Sequence, residues 1–563
     1  MREWDETVDF LIVGSGAAAM AGAIRAHDLG LRVLMVEKSE AYGGSSAMSG
    51  GVCWVGNNPH MKKYGIKDSD EEVLTYLESI TKGDVPREKL VAYRDHSKRM
   101  VEYFAEKTHL VFDALDLYTD YYPEAPGGKM GGRSMEPEPF DGSLLGDELA
   151  NLRKPATSAL ILGKFMITAR IAKRMVMLDF SALMIMAWFL LLYFFRAPKR
   201  SRCRGRDPYL TNGNALIARL RRSLLDRKVE LWLSSPMRDL VIDDGKVVGV
   251  VVEKDGKTVR IEAKKGVLLA AGGFERSAEL RERWGKKPTS TEWTAGNDAN
   301  TGDAIVAGEK AGAALALMDE AWWTPTTQYP GVKSGWVLVV EKSLPGGIFV
   351  NKQGERFTNE AAPYVDVVVE MYRDQEKTGD SLPGWMVFDA KYRRNYIAGP
   401  VGPGKVMSDA SLGKKLRNQF LRKAATLDEL AEKIAVPKEA LKKTIERFNE
   451  MARRGKDEDF HRGESASDRY YGDDRVQPNP CLAPLEKGPY YAIPLFPGDL
   501  GTKGGLVTDI TARVLDEAGA PIPGLYAAGN TSASMMGRTY PGAGGTIGPA
   551  MCFAFLSAEA AAG

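Results

Sequence analysis

Residues 8–44 read VDFLIVGSGAAAMAGAIRAHDLGLRVLMVEKSEAYGG, and the fold is read outward from them. Residues 8–13 are apolar on both faces and rich in branched side chains, the pattern of a strand buried in a parallel sheet. Gly14, Gly16 and Ala19 follow as G-x-G-x-x-A. The first glycine permits a tight turn, and the second lets backbone approach a pyrophosphate. Ala19 keeps the next helix close to the sheet. That helix, about residues 17–29, aims its first N–H groups, at Ala17 and Ala18, toward phosphate. A second strand over 32–36 ends at Glu37, 21 residues beyond Gly16. A carboxylate there accepts hydrogen bonds from ribose hydroxyls and repels a 2′-phosphate. Strand, glycines, helix, strand and acid in one unit predict an α/β fold with a Rossmann-like dinucleotide-binding domain.

The sequence beyond this unit separates FAD from NAD. After Glu37 and Lys38 comes a glycine- and serine-rich loop with Gly44, Ser45, Ser46, Gly50 and Gly51. Such a loop offers many backbone donors to a pyrophosphate and a flat ring system. Residues 267–271 form another strand that runs through Ala271 into Gly272 and Gly273, where close approach is again required. Near the C-terminus stand GLYAAGN, with Gly529 and Asn530, and GGTIGPAMCFAFLSAEAAA, with Gly545, Thr546 and Ile547. A helix starting at Gly548 and Pro549 presents its positive end to a flavin carbonyl. Cofactor elements at both chain ends, with other material between them, fit FAD. With Asp303 these residues form the candidate FAD set.

Composition narrows the class. The 563 residues are 44% hydrophobic and 27% charged, which is ordinary for a globular protein. The 76 basic and 74 acidic residues leave +2, so no global field points to nucleic acid. Cys53, Cys203, Cys481 and Cys552 are too dispersed for a thiolate metal site, and five scattered histidines form no metal cluster. Residues 1–7 are polar, without a signal-peptide pattern, which is read as a cytoplasmic start. Residues 229–253 read as a β-meander around an Asp-Gly turn, and 426–451 as two amphipathic helices, with Thr426 capping the first and Pro437 starting the second. The FAD domain is drawn over 1–321 and 501–563, with an α+β substrate (catalytic) domain inserted at 322–500 and a cleft between them.

The segment 164–206 stands out. Phe180 to Phe195 carries no charge and is preceded by Asp179. Spanning a bilayer takes roughly twenty apolar residues, so the run is short. Lys164, Arg170, Lys173 and Arg174 precede it, and Arg196, Lys199, Arg200, Arg202, Arg204 and Arg206 follow. Cations around an aromatic-rich apolar helix predict a monotopic anchor on anionic lipid, on the cytoplasmic face of the membrane. The competing reading is a buried core helix with solvated basic flanks.

If a carbon–carbon double bond is formed, a flavin removes hydride and another group must remove a proton. The glycine-rich segments lack histidine, although Asp499 and Glu360 lie nearby, and they carry Tyr121, Tyr122, Tyr364 and Tyr540. A phenol with pKa near 10 is a weak base at neutral pH unless its surroundings help it. Tyr540, beside a run of glycine N–H groups, has the makings of a clamp for an enolate oxygen.

Taken together, GGSSAMSGGVCWVGNNP (43–59), SLPGGIFVN (343–351), RFTNEAAPYVD (356–366), FPGDLGTKGGLVTD (496–509) and GLYAAGNTSASMMGRTYPGAGGTIGPAM (524–551) resemble the 3-ketosteroid Δ1-dehydrogenases, flavoproteins of the fumarate-reductase-like group. The resemblance covers about 5–155 and 207–560. Segment 164–206 departs from the soluble members and resembles an insertion for membrane association, suited to sterol-sized substrates such as cholest-4-en-3-one. The family's TYPGxGG implies that Tyr540 and Gly544 hold the steroid carbon-3 carbonyl. The proton-abstracting tyrosine matches Tyr364, and its helper matches Tyr121 best, with Tyr122 adjacent. The implied reaction is FAD-dependent conversion of a 3-keto-4-ene to a 1,4-diene-3-one, with an external acceptor, a quinone or another, reoxidising the flavin. The alternatives are a Δ4-(5α)-dehydrogenase, a fumarate-reductase-like flavoprotein, for which Arg538 beside Tyr540 would matter, and a membrane-bound sterol carrier.

Overall fold

A computed structural model describes residues 3–161, 163–175 and 180–563. Asp179, and the first two residues of the polar start, lie outside the described residues. The first strand, Glu6–Val13, runs parallel to Val33–Val36 on one side and to Lys257–Leu269 on the other. Pro521–Ala527 joins parallel beyond Lys257–Leu269, so both chain ends enter one sheet. The Ala17–Asp28 helix packs beside the last helix, Ile547–Ala562. Their closeness needs Gly22, where a Cβ would sit 3.2 Å from Ala554 O and 2.8 Å from the Leu268 side chain.

The stretch 229–253 divides differently from its expected meander. Met237–Asp243 and Lys246–Lys254 do form an antiparallel hairpin that continues into Lys257–Leu269. Glu230–Trp232 instead pairs parallel with Val33–Val36 at the opposite edge of the sheet. A short apolar run reads the same in either place, so periodicity could not separate them. The third parallel strand stops at Leu269, two residues before the expected end at Ala271.

A second, antiparallel sheet holds Gly335–Val337, Ala321–Gln328, Tyr490–Thr502, Gly384–Phe388 and Gly347–Val350 in that order, with Arg422–Ala424 also on Tyr490–Thr502. The chain enters and leaves it through two strands that pair with each other, with Ala321 opposite Thr502. The helices Leu427–Ile434 and Lys438–Arg454 pack on this sheet, and the Thr426 hydroxyl caps the first by accepting from Glu429 N.

Phe180–Phe195 is a helix. Ala182 and Phe189 are buried against Phe165 and Ile167, with the Phe189 and Phe165 rings stacked 6.0 Å apart. Much of its remaining surface is open: Trp188 is 58%, Phe194 62% and Phe195 72% exposed. No helix of the described residues is long and apolar enough to cross a membrane. Among the described residues, four of the ten flanking cations are paired: Arg170 with Asp116, Arg196 with Asp207, Lys199 with Asp141 and Arg204 with Asp147.

Candidate active site

Three distant segments bring phenols together. Tyr364 opens the Tyr364–Thr378 helix directly after Pro363. Tyr121 lies in a loop whose N–H at that residue donates to Pro541 O at 3.0 Å, tying it to the loop of Tyr540. Ring centroids are 5.3 Å apart for Tyr121 and Tyr364, 5.3 Å for Tyr121 and Tyr540, and 5.6 Å for Tyr364 and Tyr540. The Tyr121 hydroxyl donates to the Tyr364 oxygen at 2.9 Å. Tyr122 faces elsewhere and donates to Asp366 Oδ1 at 2.9 Å. Burial lifts the pKa of all three clustered phenols, that of Tyr364 far above its ordinary value, while the bond from Tyr121 works in the opposite direction.

Tyr540 and Gly544 are adjacent donors. Thr546 Oγ1 lies 3.2 Å from the Tyr540 oxygen. Gly544 adopts φ +94°, and a Cβ there would stand 2.5 Å from Trp54 N. Only glycine meets both conditions. Trp54 N–H donates to Gly544 O at 3.1 Å, fixing the peptide. Beside the three phenols is a pocket lined by Tyr121, Tyr364, Tyr118, Tyr470, Tyr471 and Lys342, among others. Tyr118 and Tyr471 hydroxyls are 3.2 Å apart.

The carboxylates noted near these motifs are committed elsewhere. Asp499 pairs with buried Arg281 at 2.7 Å, and Glu360 with Arg356 at 2.8 Å and Arg462 at 3.1 Å. Arg538 is held by Asp319 at 3.2 Å and Glu320 at 2.6 Å, so it is occupied by carboxylates of this chain.

The candidate FAD residues converge from both chain ends. The Ala17–Asp28 helix has no side-chain cap, leaving its positive end available to phosphate. Ala17 N donates to Ser46 Oγ at 3.2 Å. A Cβ on Gly44 would stand in ordinary contact with Gly16 Cα at 3.9 Å, so the two glycines lie close together. Gly14, at φ +113°, lies so close to Ala270 O that a Cβ would come within 2.3 Å. The Glu37 carboxylate is buried and accepts from Ser15 Oγ at 2.6 Å. Ser45 Oγ accepts from Asn297 N and Asn300 Nδ2, both at 3.1 Å, so its own proton is free to be donated outward. Gly529 faces Ala18 and Ala550, with a Cβ 3.5 and 3.7 Å from their methyls. A hollow is lined by Gly529, Asn530, Gly545 and Thr546 together with Lys89, Lys503 and Trp322. Ile547, buried, begins the last helix. A glycine-lined hollow, an uncapped helix end and outward donors fit FAD.

Other members of that set have internal partners. Lys38 pairs with Asp303 at 2.6 Å. Ala271 N donates to Thr531 Oγ1 at 3.0 Å, and Thr531 Oγ1 donates to Gly272 O at 2.9 Å. Gly51 is required by backbone packing, since a Cβ would lie 2.5 Å from Asn212 C, and Gly50 is exposed. The sequence did not single out Asn297 and Asn300, although both lie in the polar run GNDANTGD that supplied Asp303. Nor did it mark Tyr118, Tyr471, Lys342 or Lys503, because a lone tyrosine or lysine in a chain this long carries no local signal.

This fold and site define an FAD-dependent oxidoreductase. The FAD binding domain family matches residues 9–547. Over 566 residues the chain is 42% identical to a 3-oxosteroid 1-dehydrogenase of Mycolicibacterium smegmatis, covering 98% of this chain and 96% of the relative. The crystal structure of 3-ketosteroid delta1-dehydrogenase from Sterolibacterium denitrificans, in complex with 1,4-androstadiene-3,17-dione, matches with a TM-score of 0.96 at 46% identity, covering 99% of each chain. A flavocytochrome c3 fumarate reductase in its open conformation shares the fold, with a TM-score of 0.66 at 21% identity over all of this chain and 79% of that one. The chain belongs to the 3-ketosteroid Δ1-dehydrogenase family.

Proposed function

We propose that the protein desaturates the carbon 1–carbon 2 bond of 3-keto-4-ene steroids to give 1,4-diene-3-ones. The observation that carries this reading is the cluster of Tyr121, Tyr364 and Tyr540, with the Gly544 N–H beside Tyr540. The Tyr540 hydroxyl and Gly544 N–H donate to the carbon-3 carbonyl and withdraw charge from the ring, which acidifies carbon 2. Tyr364 removes the carbon-2 proton, and the Tyr121 hydroxyl stabilises the Tyr364 oxygen in the form that accepts it. FAD, when bound, supplies the acceptor for hydride from carbon 1. The two bond changes assist each other because charge at carbon 2 is stable only as the enolate held by Tyr540 and Gly544.

The substrate is of sterol size, with cholest-4-en-3-one the leading candidate, and the chain works at a membrane surface. Support comes from the open apolar face of the Phe180–Phe195 helix and from Lys173, whose ammonium sits 3.9 Å from the Tyr470 ring centre. Tyr470 lines the tyrosine cavity, so the 164–206 segment packs against that cavity's wall. With four of its cations paired, the segment would be held by apolar contact more than by charge. An external acceptor, a quinone or another oxidant, returns the flavin to its oxidised form.

The deciding experiment is anaerobic mixing of the FAD-loaded protein with cholest-4-en-3-one and, separately, with a side-chain-free 3-keto-4-ene steroid. Bleaching of the flavin absorbance with recovery of the 1,4-diene-3-one is expected, faster with the sterol-sized ketone. A flavin that stays oxidised with both would overturn the assignment. A reversed rate order would overturn the sterol-sized preference.

A further inference from the structure

Lys342 is the one charged side chain lining the tyrosine cavity among the described residues. It is 5% exposed, and its ammonium donates to Ala361 O at 2.9 Å and Ala362 O at 2.5 Å. Those carbonyls belong to the turn that passes through Pro363 into Tyr364. Asn359 holds the same turn by its N–H groups, its Oδ1 accepting from Ala361 N at 2.9 Å and Ala362 N at 3.2 Å. The turn that delivers Tyr364 is therefore gripped on its amide side by a neutral group and on its carbonyl side by a cation.

Two neutral donors would satisfy two carbonyls equally well, and an ammonium withdrawn from water is costly to keep. Burial lowers the Lys342 pKa to about 8. The Asp468 and Asp366 carboxylates favour its charge, while Arg462 opposes. On the cavity side its titratable companions are the phenols of Tyr364, Tyr121, Tyr118, Tyr470 and Tyr471. None of those phenols brings a positive charge, yet the reaction needs Tyr364 to act as a base.

We propose that Lys342 is a positioning residue for the desaturation: it fixes the turn carrying Tyr364, and its charge favours the proton-accepting form of that phenol. This rests on the reading of Tyr364 as the base. A cation favours phenolate, so removing it raises the pH at which Tyr364 becomes competent, and the acid limb of the kcat profile moves upward.

The test uses the FAD-loaded enzyme and the variants Lys342→Gln and Lys342→Arg. Lys342→Gln keeps a donor but not the charge. It is expected to bind FAD with an unchanged spectrum and KM within about threefold, while kcat at neutral pH falls about tenfold or more. Its acid limb should move up by about one pH unit. Lys342→Arg should return most of kcat and restore the limb. A Lys342→Gln enzyme with wild-type kcat and profile, a loss confined to KM or FAD content, or an arginine variant no better than glutamine would each overturn the proposal. Should the glutamine variant fail to fold, Lys342→Arg still decides: a limb at the wild-type position is expected, and a displaced limb refutes the charge role. Tyr364→Phe run alongside separates the two ideas, because wild-type turnover there would remove the base itself.

Discussion

Tyr364 carries the most demanding requirement of any residue in the site. Its phenol starts near pKa 10 and burial raises it further, while the proposed reaction asks it to accept a proton from carbon. In the proposed reaction, the Tyr121 hydroxyl at 2.9 Å and the carbonyl clamp, which would make the carbon acid stronger, are what make this workable. Tyr364→Phe should therefore bind FAD normally while kcat falls about 10²–10⁴-fold, the usual range for a lost general base. Anaerobic flavin bleaching measures this directly, and a rate near wild type would dismiss the base role. Gly544→Ala tests the clamp. An alanine at φ +94° with its Cβ 2.5 Å from Trp54 N must shift the peptide, and with it the N–H proposed to hold the ketone. A raised KM and a lowered Tm are expected from ketone titration and thermal melting. Wild-type values of both would show that the clamp does not depend on this peptide. Tyr540 and Tyr364 could be singled out in the sequence as candidates because each sits in a distinctive motif. The Tyr121–Tyr364 contact was not, since 243 positions separate the partners and only tertiary closure joins them.

At the scale of elements, the Phe180–Phe195 helix was legible in existence and extent but not in orientation. A run without charge has no polar face to mark the solvent side. The structure supplies that side: Ala182 and Phe189 face Phe165, while Trp188, Phe194 and Phe195 are open. The opposite limit appears at 229–253, where alternation marked strands but could not assign Glu230–Trp232 to its edge of the parallel sheet. Because three aromatic side chains of the apolar helix are exposed, replacing them should hardly affect folding. The triple variant Trp188→Ser, Phe194→Ser, Phe195→Ser is expected to keep its Tm within a few degrees and its turnover of a side-chain-free ketosteroid. Its sedimentation with anionic lipid vesicles should fall sharply. Wild-type sedimentation by the triple variant would rule out this face as the anchor. Paired cations contribute little screened attraction, so the wild-type protein should remain largely vesicle-bound at about 0.5 M salt. Release by salt alone would put the unpaired cations, and not the aromatic face, in charge.

For the whole molecule, the consequence of the topology is that the two chain ends meet in one cofactor site. The first and last helices lie side by side, joined at the surface by Arg25 and Glu559 at 2.5 Å, and Gly529 faces Ala18. This much was foreshadowed by glycine-rich motifs at both termini. Their convergence depends on Pro521–Ala527 returning beside Lys257–Leu269, which no local pattern reports. FAD seated there would contact segments from residues 14–51 and 529–547 at once, so binding should stabilise both ends as a unit. At a free FAD concentration a hundredfold above Kd, linkage adds about 2.7 kcal/mol to the stability of whatever unit must unfold to release it. Removing FAD is accordingly expected to lower Tm by several degrees and to speed backbone hydrogen exchange in Ala17–Asp28 and Ile547–Ala562 together. Re-adding FAD should restore protection in both helices over the same concentration range. Protection that returns in one helix and not the other would mean that the cofactor is held from one end of the chain alone, and the joint cradle would have to be abandoned.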